Sequence, residues 1–249
     1  MSGHSKWSTI KRAKGATDAK RGQLFTKLAR EISVAARTGQ PDPEYNVRLR
    51  LAVERARAAS MPKDNIERAL AKAAGEGVAE NYDEVTYEGY GPGGSAVMVL
   101  TMTDNRNRTV GELRAVLTRA GGSLGENGCV SWMFDHVGLL VVPPNGSDPD
   151  EIALVAIDAG ATDVVTDDPE FVEVYTETQD LHTVQEALKA AGYEIESAEL
   201  TMKPKTLMAP EADLAVKVIR LVEKLEDLDD VQAVYSNLEI TDEVLAQVN

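Results

Sequence analysis

Residues 82–120, YDEVTYEGYGPGGSAVMVLTMTDNRNRTVGELRAVLTRA, change the rhythm of the chain and decide its fold class. Residues 84–90 and 96–103 repeat with a period of two. Gly91-Pro92-Gly93-Gly94 lies between them, which predicts two strands joined by a hairpin or bulged turn. A phosphate-loop reading of those glycines fails, because no Gly-Lys-Ser/Thr follows and the next run is a strand. Residues 109–120 return to a helical period, with Val110, Leu113, Val116 and Leu117 inward and Thr109 as a candidate cap. Residues 130–134 are a further apolar strand candidate.

Upstream the pattern is helical. Leu24, Leu28, Ile32 and Ala35 share one face of a helix over 23–38, which Gly39, Pro41 and Pro43 end. Tyr45, Leu49, Ala52, Val53 and Ala56 share a face over 44–59, flanked by Arg48 and Arg55 on one side and Arg50 and Arg57 on the other. Pro62 suits the start of a third helix, with Ile66, Ala69, Leu70 and Ala73 inward and Gly75 and Gly77 as its stop. Three short helices with alanine-rich faces predict a small helical domain with a thin core.

Downstream, strands over 139–142, 163–166, 171–175 and 194–202 alternate with helices over 148–159 and 180–191. The order β-α-β-β-α-β is ferredoxin-like. A helix over 211–226 and a strand over 231–235 remain, and they can return to complete the unit begun at 82. The expected fold is α+β in three domains. Residues 1–78 form a basic arm with the helical domain. Residues 79–136 and 204–249 form a split α/β domain, and 137–203 are the inserted ferredoxin-like α/β domain.

Charge divides the chain differently. The whole carries −15, yet its first 72 residues hold 16 Lys and Arg against 7 Asp and Glu, a net of +9. The remaining residues hold 10 against 34, a net of −24. A basic head on an acidic body points to a polyanionic partner for the head, with nucleic acid first, because phosphate neutralisation supplies most non-specific affinity. Residues 1–22 carry Lys6, Lys11, Arg12, Lys14, Lys20 and Arg21 against Asp18 alone. They read equally as a solvated arm or as an arm that orders on phosphates.

No apolar run approaches the roughly 20 residues of a membrane span, and the polar, basic N-terminus lacks a secretory core. One cysteine, Cys129, rules out an intrachain disulfide framework and suits a reducing cytosol. His4, His136 and His182 are scattered, so no local metal motif forms and no cofactor is implied. Cys129 reads as a buried thiol rather than a nucleophile. Asp227, Asp229 and Asp230 read as a solvated turn after a helix.

The loop Thr103-Asp104-Asn105-Arg106-Asn107-Arg108-Thr109 stands apart. It holds two of the four arginines between residues 73 and 200. Two readings stay open: Arg106 and Arg108 pair with nearby carboxylates, or they meet an anion beside a helix terminus.

Several stretches resemble the YebC/PmpR family: Gly3-His4-Ser5-Lys6-Trp7, Asp18-Ala19-Lys20-Arg21-Gly22, Phe25-Thr26-Lys27-Leu28 and Met61-Pro62-Lys63-Asp64-Asn65-Ile66. So do Tyr87-Glu88-Gly89-Tyr90-Gly91-Pro92-Gly93-Gly94, the 103–109 loop and Gly121-Gly122-Ser123-Leu124-Gly125. Met208 and Pro210 sit where the family has a Pro-rich return segment. The resemblance implies a helical N-terminal domain and two α/β domains around a cleft. It also implies a cytoplasmic DNA-binding transcriptional regulator, or a factor that assists translation on the ribosome by contacting rRNA or tRNA. Charge and resemblance together nominate Lys6, Trp7, Lys11, Arg12, Lys14, Lys20, Arg21, Lys27, Arg106 and Arg108 as nucleic-acid-binding residues. No nucleophile, base and orienting group cluster in the sequence, so the expectation is a non-enzymatic protein with no membrane partner.

Overall fold

The structure is a computed structural model that describes residues 18–73 and 81–248. The fold is α+β, with N-terminal helices and two four-stranded antiparallel sheets. The chain divides into two compact units. One takes the described residues through Ser131 together with Val216–Ser236; the other takes Trp132–Ala215 and the residues from Asn237 onward.

The first unit opens with helices α1 (Asp18–Thr38), α2 (Val47–Ala58) and α3 (Lys63–Ala73). Leu28, Ile32, Ala35, Leu49, Ala52 and Ala56 are among the buried residues of their shared core. Asn46 joins two of the helices. Its Oδ1 accepts from Leu49 N at 3.0 Å and caps α2, and its Nδ2 donates to Ala35 O at 2.8 Å near the end of α1. Gly39 is required beside it, since a Cβ there would stand 2.5 Å from Asn46 Nδ2. Two expected core residues lie outside the core. Leu24 is 44% exposed, one turn before the buried stripe begins at Leu28. Tyr45 is 74% exposed because it precedes the Asn46 cap and is not on the helix. Gly75 and Gly77 lie outside the described residues.

The sheet of this unit has the order β3-β1-β2-β8, from β1 (Asp83–Tyr90), β2 (Ala96–Thr103), β3 (Ser123–Leu124) and β8 (Val231–Ser236). A 3-10 turn over Pro92–Gly94 closes the β1–β2 hairpin. The short β3 pairs with Gly89 and Tyr90, and two glycines permit its approach. A Cβ on Gly89 would stand 2.5 Å from Ser123 O, and one on Gly122 would stand 2.3 Å from Tyr90 O. Helix α4 (Arg106–Arg119) buries Leu113 and Leu117, and residues 216–226 of α7 (Ala212–Glu226) bury Val218, Ile219, Leu221 and Leu225. Helix α4 starts three residues earlier than its period suggests. Its cap is Asn105, whose side chain accepts from Arg108 N at 3.1 Å, and not Thr109, which is buried inside the first turn.

The second unit is ferredoxin-like. Strands β4 (Phe134–Val142), β5 (Asp163–Val165), β6 (Val172–Thr176) and β7 (Ser197–Pro204) alternate with α5 (Pro149–Asp158) and α6 (Leu181–Ala190) in the sheet order β5-β6-β4-β7. Pairing runs from Phe134↔Pro204 to Val141↔Ser197. Residues 130–134 are not a separate strand. Ser131–Met133 is a 3-10 turn and the strand begins at Phe134. The reason is local: Val130 N and Ser131 N both donate to Glu88, so neither is available to a ladder. After the strand over Val231–Ser236, Met208 bridges Leu238 and α8 (Asp242–Val248) follows.

Candidate nucleic-acid interface

The 103–109 loop is built around an anion, and the anion is the chain's own Asp230. Arg108 Nη2 stands 2.8 Å from Asp230 Oδ1 and 2.7 Å from Oδ2. Thr103 Oγ1 donates to Oδ2 at 3.0 Å, and Thr109 Oγ1 lies 2.8 Å from the same oxygen. Arg30 of α1 donates to Met102 O at 2.9 Å and to Asp229 O at 2.8 Å, with Asp230 Oδ1 at 3.4 Å. Asp230 is 2% exposed, which corrects the reading of 227–230 as a wholly solvated turn. Burial opposes its charge, but the bonds from Arg108, Thr109 and Thr103 outweigh that and hold the carboxyl below its usual range. Arg108 also meets Asp104 at 2.7 Å, and Arg106 Nε meets Asp83 at 2.8 Å. Of the two readings of the loop, pairing with nearby carboxylates describes the contacts made.

A second internal carboxylate works the same way with backbone donors. Glu88 is 4% exposed, and its carboxylate accepts from Gly128 N, Val130 N and Ser131 N at 2.8, 2.8 and 2.7 Å. Burial raises its pKa, but those three bonds more than offset burial and the carboxyl sits below its usual range. Nearby Cys129 responds in the opposite sense. Burial first, and then the charge of Glu88, push its thiol up. A thiol held protonated is the reverse of an activated nucleophile. Among the described residues no group of three His, Cys, Asp or Glu side chains could hold a metal ion. No described helix is long and apolar enough to cross a membrane.

The helical part carries exposed positive charge, and several of its basic residues are engaged within the chain. Arg48 forks onto Glu84, and Arg55 pairs with Glu31 at 3.1 Å. Arg50 donates to Pro43 O at 2.9 Å and Glu44 O at 2.7 Å, and Arg37 to Tyr82 O at 3.0 Å. Lys27 is half-buried and donates to Glu226 O. Lys20 and Arg21, in the first turn of α1, are exposed, as are Arg57 of α2 and Arg68 and Lys72 of α3. Lys6, Trp7, Lys11, Arg12 and Lys14 lie outside the described residues.

Between α1 and α3 runs a groove of about 290 Å³. Phe25, Ala29, Met61 and Ala69 give it an apolar floor. Arg30 and Tyr82 stand together in its wall, the guanidinium 4.6 Å from the ring centre, and Asn65, Arg68 and Lys72 lie along α3. Among the described residues, no Asp or Glu lines it. Sequence reasoning missed Glu88, Asp230 and Arg30. Glu88 shares its strand face with Glu84 and Thr86, which reads as a solvent face, and Asp230 lies in an acidic run. Neither carries a local signal.

Comparison with known proteins adds the family. The TACO1/YebC protein N-terminal domain matches residues 5–76, and the TACO1/YebC second and third domain matches 82–238. A probable transcriptional regulatory protein of Chlorobium phaeobacteroides is 54% identical over 98% of this chain and 98% of its own. One from Pelotomaculum thermopropionicum is 55% identical over 97% of this chain and 100% of its own. The crystal structure of a conserved hypothetical protein from Aquifex aeolicus superposes with a TM-score of 0.82 at 50% identity, covering 92% of this chain and 94% of that one.

Proposed function

Because the chain belongs to the TACO1/YebC family, we propose that it is a non-enzymatic regulator that binds nucleic acid, and that it controls transcription by binding DNA through its basic N-terminal arm and helical domain. The observation that carries the proposal is the charge partition, +9 over the first 72 residues against −24 over the rest. The name shared by the relatives, probable transcriptional regulatory protein, supports the regulatory part. In this reading Lys6, Trp7, Lys11, Arg12, Lys14, Lys20, Arg21 and Lys27 form the nucleic-acid-binding set of the head, with the cationic ones meeting phosphates. The loop arginines Arg106 and Arg108 are secondary, since any phosphate would compete with Asp83, Asp104 and Asp230. The acidic remainder disfavours broad coating of nucleic acid and restricts docking to the head. The protein acts in the cytoplasm as three domains: 1–78, 79–136 with 204–249, and 137–203.

Binding of the full chain to promoter fragments and to shuffled duplexes of equal length, titrated with salt, tests the proposal. Tighter binding to promoters is expected, and equal weak binding to every duplex removes the selective DNA reading. Neutralising Lys11, Arg12, Lys14, Lys20 and Arg21 lowers the salt slope by about 0.9 for each phosphate that the head no longer neutralises.

A second reading, a translation factor bound to rRNA or tRNA, is favoured by one observation. Arg48, Arg50 and Arg55 of α2, which a duplex-reading helix would direct at base edges, are engaged within the chain. Ribosome profiling of a deletion strain tests it. Altered elongation or stalling is expected, and unchanged profiles remove it.

A further inference from the structure

We propose that the groove between α1 and α3 receives an unpaired nucleotide of a single-stranded nucleic acid, with its base against the apolar floor and the Arg30–Tyr82 pair and its phosphate at Arg68. The inference rests on the nucleic-acid reading and specifies where and in what form the strand is held.

Three observations converge on it. Among the described residues the groove is lined by arginine and lysine without a single carboxylate, in a chain that has 41 Asp and Glu and fills its other arginine-bearing loop with one of them. Arg30 already meets Asp230, so such a lining suits an anion supplied from outside at Arg68. Its floor is apolar and its wall carries an aromatic ring with a guanidinium stacked on it. Flat π-faces are what such a surface holds best, and base stacking on aromatic and arginine planes is the usual means of gripping single strands. Arg30 Nε is a buried donor with no acceptor among the described residues, at the wall of this groove. An unmet buried donor is unfavourable, and a turn of the Arg30 side chain toward the groove it lines would bring this donor to a base carbonyl or ring nitrogen, the acceptor type it lacks. The hydroxyls of Thr26 and Ser33 already donate to Gly22 O and Ala29 O, so toward the groove they offer lone pairs to amino or hydroxyl donors on the ligand. Bases paired inside a duplex have both faces stacked and their edges occupied, so only an unpaired or extruded nucleotide fits.

Fluorescence anisotropy of the full chain with short oligouridine and oligodeoxyuridine strands, and with a blunt-ended duplex without a loop, tests the groove. Arg68→Gln removes the phosphate partner. Asn65→Trp fills the groove without changing charge. Each is expected to weaken single-strand binding about tenfold, from the loss of one stacked base or its phosphate, while duplex binding changes less than twofold. Thermal melts matching the parent's confirm that both variants fold, as their exposed or half-buried positions on α3 lead one to expect. A preference between the ribose and deoxyribose forms of the uridine strand assigns the sugar and supports the groove equally. Single-strand binding within twofold of the parent for both variants overturns the proposal, as does equal loss for strand and duplex. Absence of any binding by the parent chain defeats the nucleic-acid reading itself; binding that survives both variants defeats only the groove.

Discussion

Arg108 and Arg68 belong to the same compact unit, yet Arg108 meets the carboxylate of Asp230 at 2.7 Å while Arg68 meets an amide oxygen of Asn65 at 3.5 Å. Around Arg108 the chain has supplied its own anion, together with two threonine hydroxyls and a capped helix start. Beside Arg68 lies a groove with an apolar floor and, among the described residues, no acid in its lining. Arginine by itself therefore does not mark a nucleic-acid site. What separates the two is whether the fold seats a buried carboxylate on the guanidinium, as it does at Arg108.

That contrast can be broken most readily at Asp230. Asp230→Ala removes the carboxylate shared by Arg108, Thr103 and Thr109 and leaves a buried gap in its place, and it should destabilise the chain by about 3 kcal/mol. The urea midpoint of unfolding, at unchanged slope, reports it. A loss below about 1 kcal/mol would mean that the loop does not depend on its internal anion.

Glu88→Gln keeps one acceptor oxygen but turns the other into an NH₂ donor, which must then face either Gly128 N or the pair Val130 N and Ser131 N. A loss of about 2 kcal/mol is expected. Acid should act on both carboxyls at once. Each sits below its usual range in the folded chain, so the unfolded chain takes up protons first. The stability they contribute is complete above about pH 5 and declines as the pH falls through their folded values. Urea midpoints taken from pH 7 down to pH 3 should fall less steeply for Asp230→Asn than for the parent. Parallel curves would show that Asp230 does not titrate in this way.

The smallest effect is expected at Arg106, whose pair with Asp83 is 61% and 57% exposed. Arg106→Gln should change stability by about 0.5 kcal/mol or less. A larger loss would place the whole loop, and not only Arg108, in the fold.

How much of this is legible in the sequence follows from the range of each interaction. The β1–β2 hairpin, the three helices and the βαββαβ order are written in periods and turn residues, so local reading finds them. Segment ends shift where a side chain from elsewhere takes over a backbone donor, as Glu88 does at Val130 and Ser131. The Asp230 site is not legible, because Thr103 lies 127 positions away from its partner. A period-based reading sees Thr103 as a strand end and Asp230 as one acid among several. The groove has the same character. Phe25 and Arg68 come from different helices, and only packing shows that no described carboxylate shares their space.

The claim at the centre is that the chain meets phosphates with its basic head and not with the 103–109 loop. The slope of log affinity against log salt tests it directly, measured on one labelled single strand for the parent, for Lys20→Gln with Arg21→Gln, and for Arg106→Gln. The head variant should lose about 1.4 units of slope, two phosphates at about 0.7 each, and the loop variant should keep the parent slope. A head variant that keeps the parent slope while the loop variant loses it would contradict the account.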